Sequence, residues 1–180
     1  MKLITDRLIL DEIVSADLEL IHSLHSVPEV DEFNTLGIPE TFEETRNVVC
    51  PAIEDQKNEV RSQYCWKIVE QESSAFIGLA GMFLSNDRFR LGEIYYKIHP
   101  AYWGKGYATE LAKSLVQFGF ETLKLHKIEA GVATENIRSI HVLEKIGMTR
   151  EGIRRKILPI RGEWKDNFHY GIVEDDPREY

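Results

Sequence analysis

The chain has 180 residues, is 43% hydrophobic and carries a net charge of −8 at pH 7, with an isoelectric point near 5.3. That length suits one globular domain over residues 1–180 with a substantial core, and the acidity argues against a nucleic-acid surface while fitting a cationic, amine-bearing substrate. Met1–Arg7 carries charges inside any apolar run, no stretch reaches the roughly 20 apolar residues of a membrane span, and Cys50 and Cys65 are too few for a disulfide framework or a zinc site. The expectation is a soluble, cytoplasmic protein with reduced thiols, no metal and no membrane partner.

Arg7–Ile13 alternates as a first strand. Ser15 offers an N-cap, with Asp17 and Glu19 in the first turn, for a helix carrying Leu18, Ile21 and Leu24. His22 and His25 share a face of that helix and, with no third ligand pattern beside them, read as a surface pair rather than a metal site. Pro28–Pro39, with Val30, Phe33 and Leu36, is an irregular loop, either a connector or a wall over a substrate. Thr41 caps a helix running to about Asn58, which Pro51 breaks or kinks. Tyr64–Glu70 and Ala75–Leu84 form a β-hairpin, and the next strand completes an antiparallel meander.

That next strand opens the stretch on which the chain turns. Ile94–Ile98 is rich in β-branched and aromatic residues and stops at Pro100. From Ala108 the apolar residues Leu111, Ala112, Leu115 and Phe118 recur at helical spacing, to about Leu123. Between them lies Gly104-Lys105-Gly106. Glycines admit a close backbone approach and a helix start has unpartnered N–H groups, so this turn suits a diphosphate. The alternative is a plain tight turn. A nucleotide triphosphatase or dinucleotide-binding turn fails on spacing, since there is no Gly-x-x-x-x-Gly-Lys-Ser/Thr and Thr109 stands where the latter has its third glycine.

Further on, Lys127–Ala133 reads as a strand, Asn136 caps a helix carrying Ile137, Ile140, Leu143 and Ile146, and Gly147 ends it. Strand–helix–strand–helix order implies one parallel pair with a right-handed crossover. Met148–Leu158 and Trp164–Val173 finish as two strands around the Pro159–Glu163 turn, and the acidic tail Glu174–Tyr180 is expected to fray.

Trp103-Gly104-Lys105-Gly106-Tyr107-Ala108 resembles the acetyl-CoA pyrophosphate loop of the GNAT N-acetyltransferases, usually Gln/Arg-x-x-Gly-x-Gly/Ala, with Trp103 as the departure. Asn136-x-x-Ser139, Glu144–Met148, Glu151-Gly152 and Trp164-x-Asp166-x-x-x-Tyr170 are similar, in order, to the ribosomal-protein N-acetyltransferase (RimJ/RimL-type) branch. The resemblance covers nearly the whole chain. It implies an α/β GNAT fold, a mixed, mostly antiparallel twisted sheet of about seven strands flanked by about four helices. It also implies direct transfer of acetyl from acetyl-CoA to a primary amine, either a protein N-terminus or a small amine. The alternative from another class is a non-catalytic acyl-CoA-binding or sensing module.

Such a transfer needs a base for the amine, a polarised thioester carbonyl and a proton for the leaving thiolate. By resemblance the base is Glu93, with Glu12, Glu129 and Glu151 as competitors, and the carbonyl is met by backbone N–H groups of Tyr96, Lys97 and Ile98. Many relatives protonate the thiolate with a tyrosine seven residues after the asparagine, but here that position is Leu143, which leaves Ser139. The cofactor-binding set is completed by Trp103, Gly104, Lys105, Gly106, Tyr107, Ala108, Thr109 and Asn136. Tyr95 and Tyr96 fall on opposite strand faces, so one of them reaches the site. Trp66, His99, His126, His141 and His169 read as structural, and an exposed C-terminal sheet edge would permit a homodimer.

Overall fold

The computed structural model describes residues 1–178 and 180. Its strands are β1 (Lys2–Ile4), β2 (Leu8–Glu12), β3 (Gln63–Glu70), β4 (Phe76–Leu84), β5 (Leu91–Ile98), β6 (Lys127–Ala133), β7 (Thr149–Ile160) and β8 (Glu163–Val173). They form one sheet in the order β1-β2-β3-β4-β5-β6-β8-β7. Every neighbouring pair is antiparallel except β5 and β6. The eighth strand, beyond the about seven expected, is β1, whose three residues are too short to show alternation.

Among the described residues five α-helices flank the sheet: α1 (Leu18–His25), α2 (Pro28–Asp31), α3 (Phe42–Asp55), α4 (Tyr107–Gln117) and α5 (Ile137–Lys145). On one face, α1 and α3 bury Leu18, Ile21, Leu24 and Val49 against Leu79. On the other, α4 and α5 bury Leu111, Leu115, Ile140 and Leu143 against Trp66, Met82 and Ile128. Leu111 and Leu115 are fully buried, and each contributes roughly 2 kcal/mol.

Several local expectations are corrected. Ser15 does not cap α1: Ser15–Asp17 is a 3-10 turn, and the Asp17 carboxylate accepts from the Val14 N–H at 2.9 Å and from Lys67 Nζ at 2.7 Å. His22 and His25 are not a surface pair. His22 Nδ1 pairs with Thr45 Oγ1 at 2.7 Å, while His25 is buried 3.5 Å from Lys97 Nζ. Thr41 does cap α3, accepting from Glu44 N–H, and Pro51 stays inside that helix. The helix ends at Asp55, short of Asn58, because the Asp55 carboxylate turns to the amides of Ser62 and Gln63 at 2.9 and 3.0 Å.

The long helix gives way at Phe118 to a wider π turn ending at Thr122. The Pro28–Pro39 segment begins with the short helix α2, pinned by Arg161 Nη2 to the Pro28 carbonyl at 2.8 Å. The tail docks instead of fraying: Tyr180 donates to the Ile146 carbonyl at 2.7 Å and Arg178 lies over the Phe120 ring. Within that tail, position 179 lies outside the described residues. Among the described residues, no helix is long and apolar enough to cross a membrane.

Candidate active site

Strands β5 and β6 run in register only at Leu91↔Lys127, Gly92↔Ile128 and Glu93↔Glu129, then part. β6 stays paired to β8 as far as Ala133↔Asn167, so the gap opens inside the sheet. Ser85 N–H donates to the Leu91 carbonyl at 3.0 Å and His99 N–H to the Ile77 carbonyl at 2.8 Å. In an antiparallel ladder these bonded pairs alternate with pairs whose polar groups face away. Lys97 therefore bonds Leu79 on β4, while the main-chain groups of Tyr96 and Ile98 turn toward the gap. Of the three backbones expected at the thioester, those of Tyr96 and Ile98 face the gap and that of Lys97 does not. The Ile98 carbonyl is already met by the Trp103 indole N–H at 2.7 Å, leaving its N–H free for another partner.

A cleft of about 720 Å³ follows this gap, and Glu93, Tyr96, Gly104, Gly106, Asn136 and Ser139 all line it. Its floor at one end is the strand-to-helix turn. Gly104 and Gly106 have φ of +76° and +81°, a region open to glycine at little cost. The first bond of α4 runs from Glu110 N–H to the Gly106 carbonyl at 3.1 Å. The N–H groups of Gly106, Tyr107, Ala108 and Thr109 thus precede the helical ladder, at the positive end of its dipole. Trp103, Tyr107, Ala108 and Thr109 also line the cleft. Lys105 does not: its ammonium lies 5.0 Å from the Tyr102 ring centre.

At the middle of the cleft Asn136 caps α5, its Oδ1 accepting from Ser139 N–H at 3.2 Å. The Ser139 hydroxyl is 2.9 Å from the Tyr96 hydroxyl. Burial, partly offset by this bond, raises Tyr96 to about 12. Tyr96 thus brings a protonated phenol to Ser139, a contact across 43 residues. Leu143, at the position where the GNAT resemblance implies a tyrosine, is buried in the core and also lines the cleft.

The competing carboxylates are engaged elsewhere. Glu12 pairs with Arg61 at 2.5 Å and with the Met1 amine. Glu129 is held by Lys127 at 3.0 Å and by His169 at 3.2 Å, and Glu151 by Lys127 at 2.6 Å. Burial pushes the Glu129 carboxyl up, but those hydrogen bonds outweigh it and keep it low. Lys127 also sits between the two carboxylates where a cation would, so the Glu129, Glu151 and His169 group already holds a positive charge of its own. Among the described residues Glu93 lacks an ion-pair partner, is exposed, and faces the cleft.

The cleft is also lined by Val30 and Phe33 from the α2 segment, so that loop forms part of its wall. Sequence reasoning missed Glu29, Arg154 and Asn167 on the same wall. Asn167 is 5% exposed with Oδ1 unpartnered, its amide about 3 Å from where a Gly131 side chain would start. Alternation along β8 groups Asn167 with Lys165 and His169 on the polar face, so the sequence carries no signal of its burial. Lys97 presents its side chain on this face, and burial, opposed by the Asp31 charge, lowers it to about 8. Burial, then the charges of Lys97 and His22, lowers His25 to about 4. His141 lines the cleft, whereas Cys50 and Cys65 do not.

Residues 7–149 match the acetyltransferase (GNAT) domain family. The chain is a GNAT acetyltransferase. It is 34% identical over 177 residues to the uncharacterised N-acetyltransferase YoaA of Bacillus subtilis (strain 168), covering 97% of each chain. Spermidine N-acetyltransferase from Vibrio cholerae, solved with CoA and spermine, superposes with a TM-score of 0.82 at 26% identity, covering 93% of this acetyltransferase and 95% of that chain. The ribosomal-protein-S5-alanine acetyltransferase of Vibrio fischeri shares the fold at a TM-score of 0.84 and 21% identity, over 98% of both. The acetyltransferase is therefore an N-acetyltransferase of a family that uses acetyl-CoA.

Proposed function

We propose that this chain transfers acetyl from acetyl-CoA directly to a primary amine, with Glu93 as base. The observation that carries this reading is the one unengaged carboxylate on β5, placed where β5 and β6 part and sharing a cleft with the glycine turn. The diphosphate sits on the Gly104–Thr109 turn, with Trp103, Tyr107 and Asn136 lining its path. The Tyr96 and Ile98 N–H groups meet the thioester carbonyl and the pantetheine amides. The Ser139 hydroxyl, backed by Tyr96, protonates the thiolate. A covalent acyl-enzyme is disfavoured, since neither cysteine lines the cleft and burial raises the Cys65 thiol.

For the acceptor we favour an amine with a single positive charge, a peptide N-terminus or a small monoamine, over a polyamine. With Arg138 paired to Glu32 at 3.1 Å, Lys97 and Arg154 balance Glu29 and Glu93 on the cleft wall, which offers no excess of carboxylates to hold a polycation. The V. cholerae relative keeps polyamines among the acceptors to be tried.

The test pairs calorimetry of acetyl-CoA binding with thiol release against free-N-terminus peptides, monoamines and spermidine. Glu93→Gln should leave binding intact and lower turnover about 10²- to 10⁴-fold, most strongly below the pKa of the amine. Unchanged turnover across that range removes Glu93 as base. Binding without release on every acceptor would instead support a sensing module, and release chiefly on spermidine would overturn the monoamine preference.

A further inference from the structure

The turn that receives the diphosphate is gripped from outside by an arginine ahead of β2. Arg7 Nη1 donates to the Lys105 carbonyl at 2.9 Å. Its Nε and Nη2 both reach Glu110 Oε2 at 2.7 Å, its main-chain N–H reaches Glu110 Oε1 at 2.8 Å, and its guanidinium lies 4.6 Å from the Tyr107 ring centre. Thr5 Oγ1 donates to Glu110 Oε1 at 2.5 Å. Burial raises the Glu110 carboxyl, but these hydrogen bonds more than offset that and keep it charged. A planar fork spanning a carboxylate and a carbonyl has one orientation, which an ammonium cannot reproduce.

The consequence follows from the peptide plane. The Lys105 carbonyl and the Gly106 N–H belong to one trans peptide and point in opposite directions. With the carbonyl drawn outward to Arg7, the Gly106 N–H turns inward, on the side where Gly106 lines the cleft. Glycine permits positive and negative φ almost equally, so Gly106 allows this orientation without selecting it. Arg7 makes the selection.

We propose that Arg7 is a positioning residue for the phosphate turn, aiming the Gly106 N–H and the donors that follow it at the diphosphate of the acetyl donor. This rests on the reading of Gly104–Gly106 as the diphosphate site. Arg7 acts through Lys105 and Glu110, and it is braced on the side of the turn away from the cleft lining.

Binding of CoA and of pantetheine, which lacks the diphosphate, is measured by calorimetry on the wild type and on Arg7→Ala, Arg7→Lys and Glu110→Gln. The wild type should prefer CoA. Arg7→Ala should lose on the order of tenfold or more in CoA affinity while pantetheine binding stays unchanged. Arg7→Lys should not restore the loss, and Glu110→Gln should show a smaller loss in the same direction. Restoration by lysine would reduce Arg7 to a nearby charge, and equal losses on both ligands would reduce it to a fold contact; either overturns the proposal, as does an unaffected Arg7→Ala. If Arg7→Ala does not fold, an unaffected Glu110→Gln overturns it and a CoA-selective loss supports it. A wild type that binds both ligands alike would overturn the diphosphate reading itself, and the proposal with it.

Discussion

Along the Gly104–Thr109 wall of the cleft the groups on offer are main-chain N–H donors, in a turn that has two positive-φ glycines and an arginine fork on its Lys105 carbonyl. The facing wall offers side chains drawn from α2, β5, β7 and β8, among them a half-buried lysine and an asparagine whose amide oxygen is unpartnered. A wall made of backbone keeps its chemistry when its side chains change, as at Trp103, where the sequence departs from the GNAT loop pattern. A wall made of side chains changes chemistry with each substitution, as suits the half of a site that chooses an acceptor. Stability and binding should therefore respond differently on the two sides.

The largest expected effect on stability is on the facing wall. A lysine lowered from 10.5 to about 8 binds fewer protons folded than unfolded between those values. Wild-type stability should therefore climb as pH rises from 8 toward 10.5. Lys97→Met lacks that climb and should be the more stable protein at pH 7, by at most about 3 kcal/mol at roughly 1.4 kcal/mol per unit. Urea denaturation of both proteins at pH 7 and 9.5 checks this, and a pH-independent difference would sink it. Acetyl-CoA affinity should not move.

On the backbone wall, Gly106→Ala forces a β-carbon into the left-handed region at a cost of about 1–2 kcal/mol, or about tenfold in acetyl-CoA affinity if the turn relaxes to escape it. The acceptor KM should stay constant, and a change there would mean that the two walls are not separable. The smallest effect belongs to Asn136→Ala, which removes the cap of α5 and costs about 1 kcal/mol in a thermal melt. A melt identical to wild type would leave Asn136 without a structural share in the site.

The backbone wall is legible in the sequence because its signals are local: a change of period, two glycines and a cap residue at Asn136. The meander, the parallel pair and the closing hairpin are legible for the same reason. What escapes is set by meetings across the chain. The burial of His25 depends on which face of α1 meets the sheet, and the engagement of Glu129 and Glu151 depends on Lys127 standing between strands. Tyr96 reaches Ser139 only because β5 and α5 flank one gap, and Arg7 reaches Lys105 across 98 residues. The tail reads as frayed from its charge, yet Tyr180 finds a carbonyl at the end of α5 that composition cannot announce.

The parting of β5 from β6 also divides the sheet. Five strands, β1 to β5, lie on one side and three, β6, β8 and β7, on the other, joined in the sheet by the three residue pairs from Leu91 to Glu93. An extended ligand arm lying in that gap would carry hydrogen bonds from one half to the other, much as a missing strand would. Loading the donor would then weld the two halves, and discharging it would loosen them, so that the stiffness of the sheet keeps time with turnover.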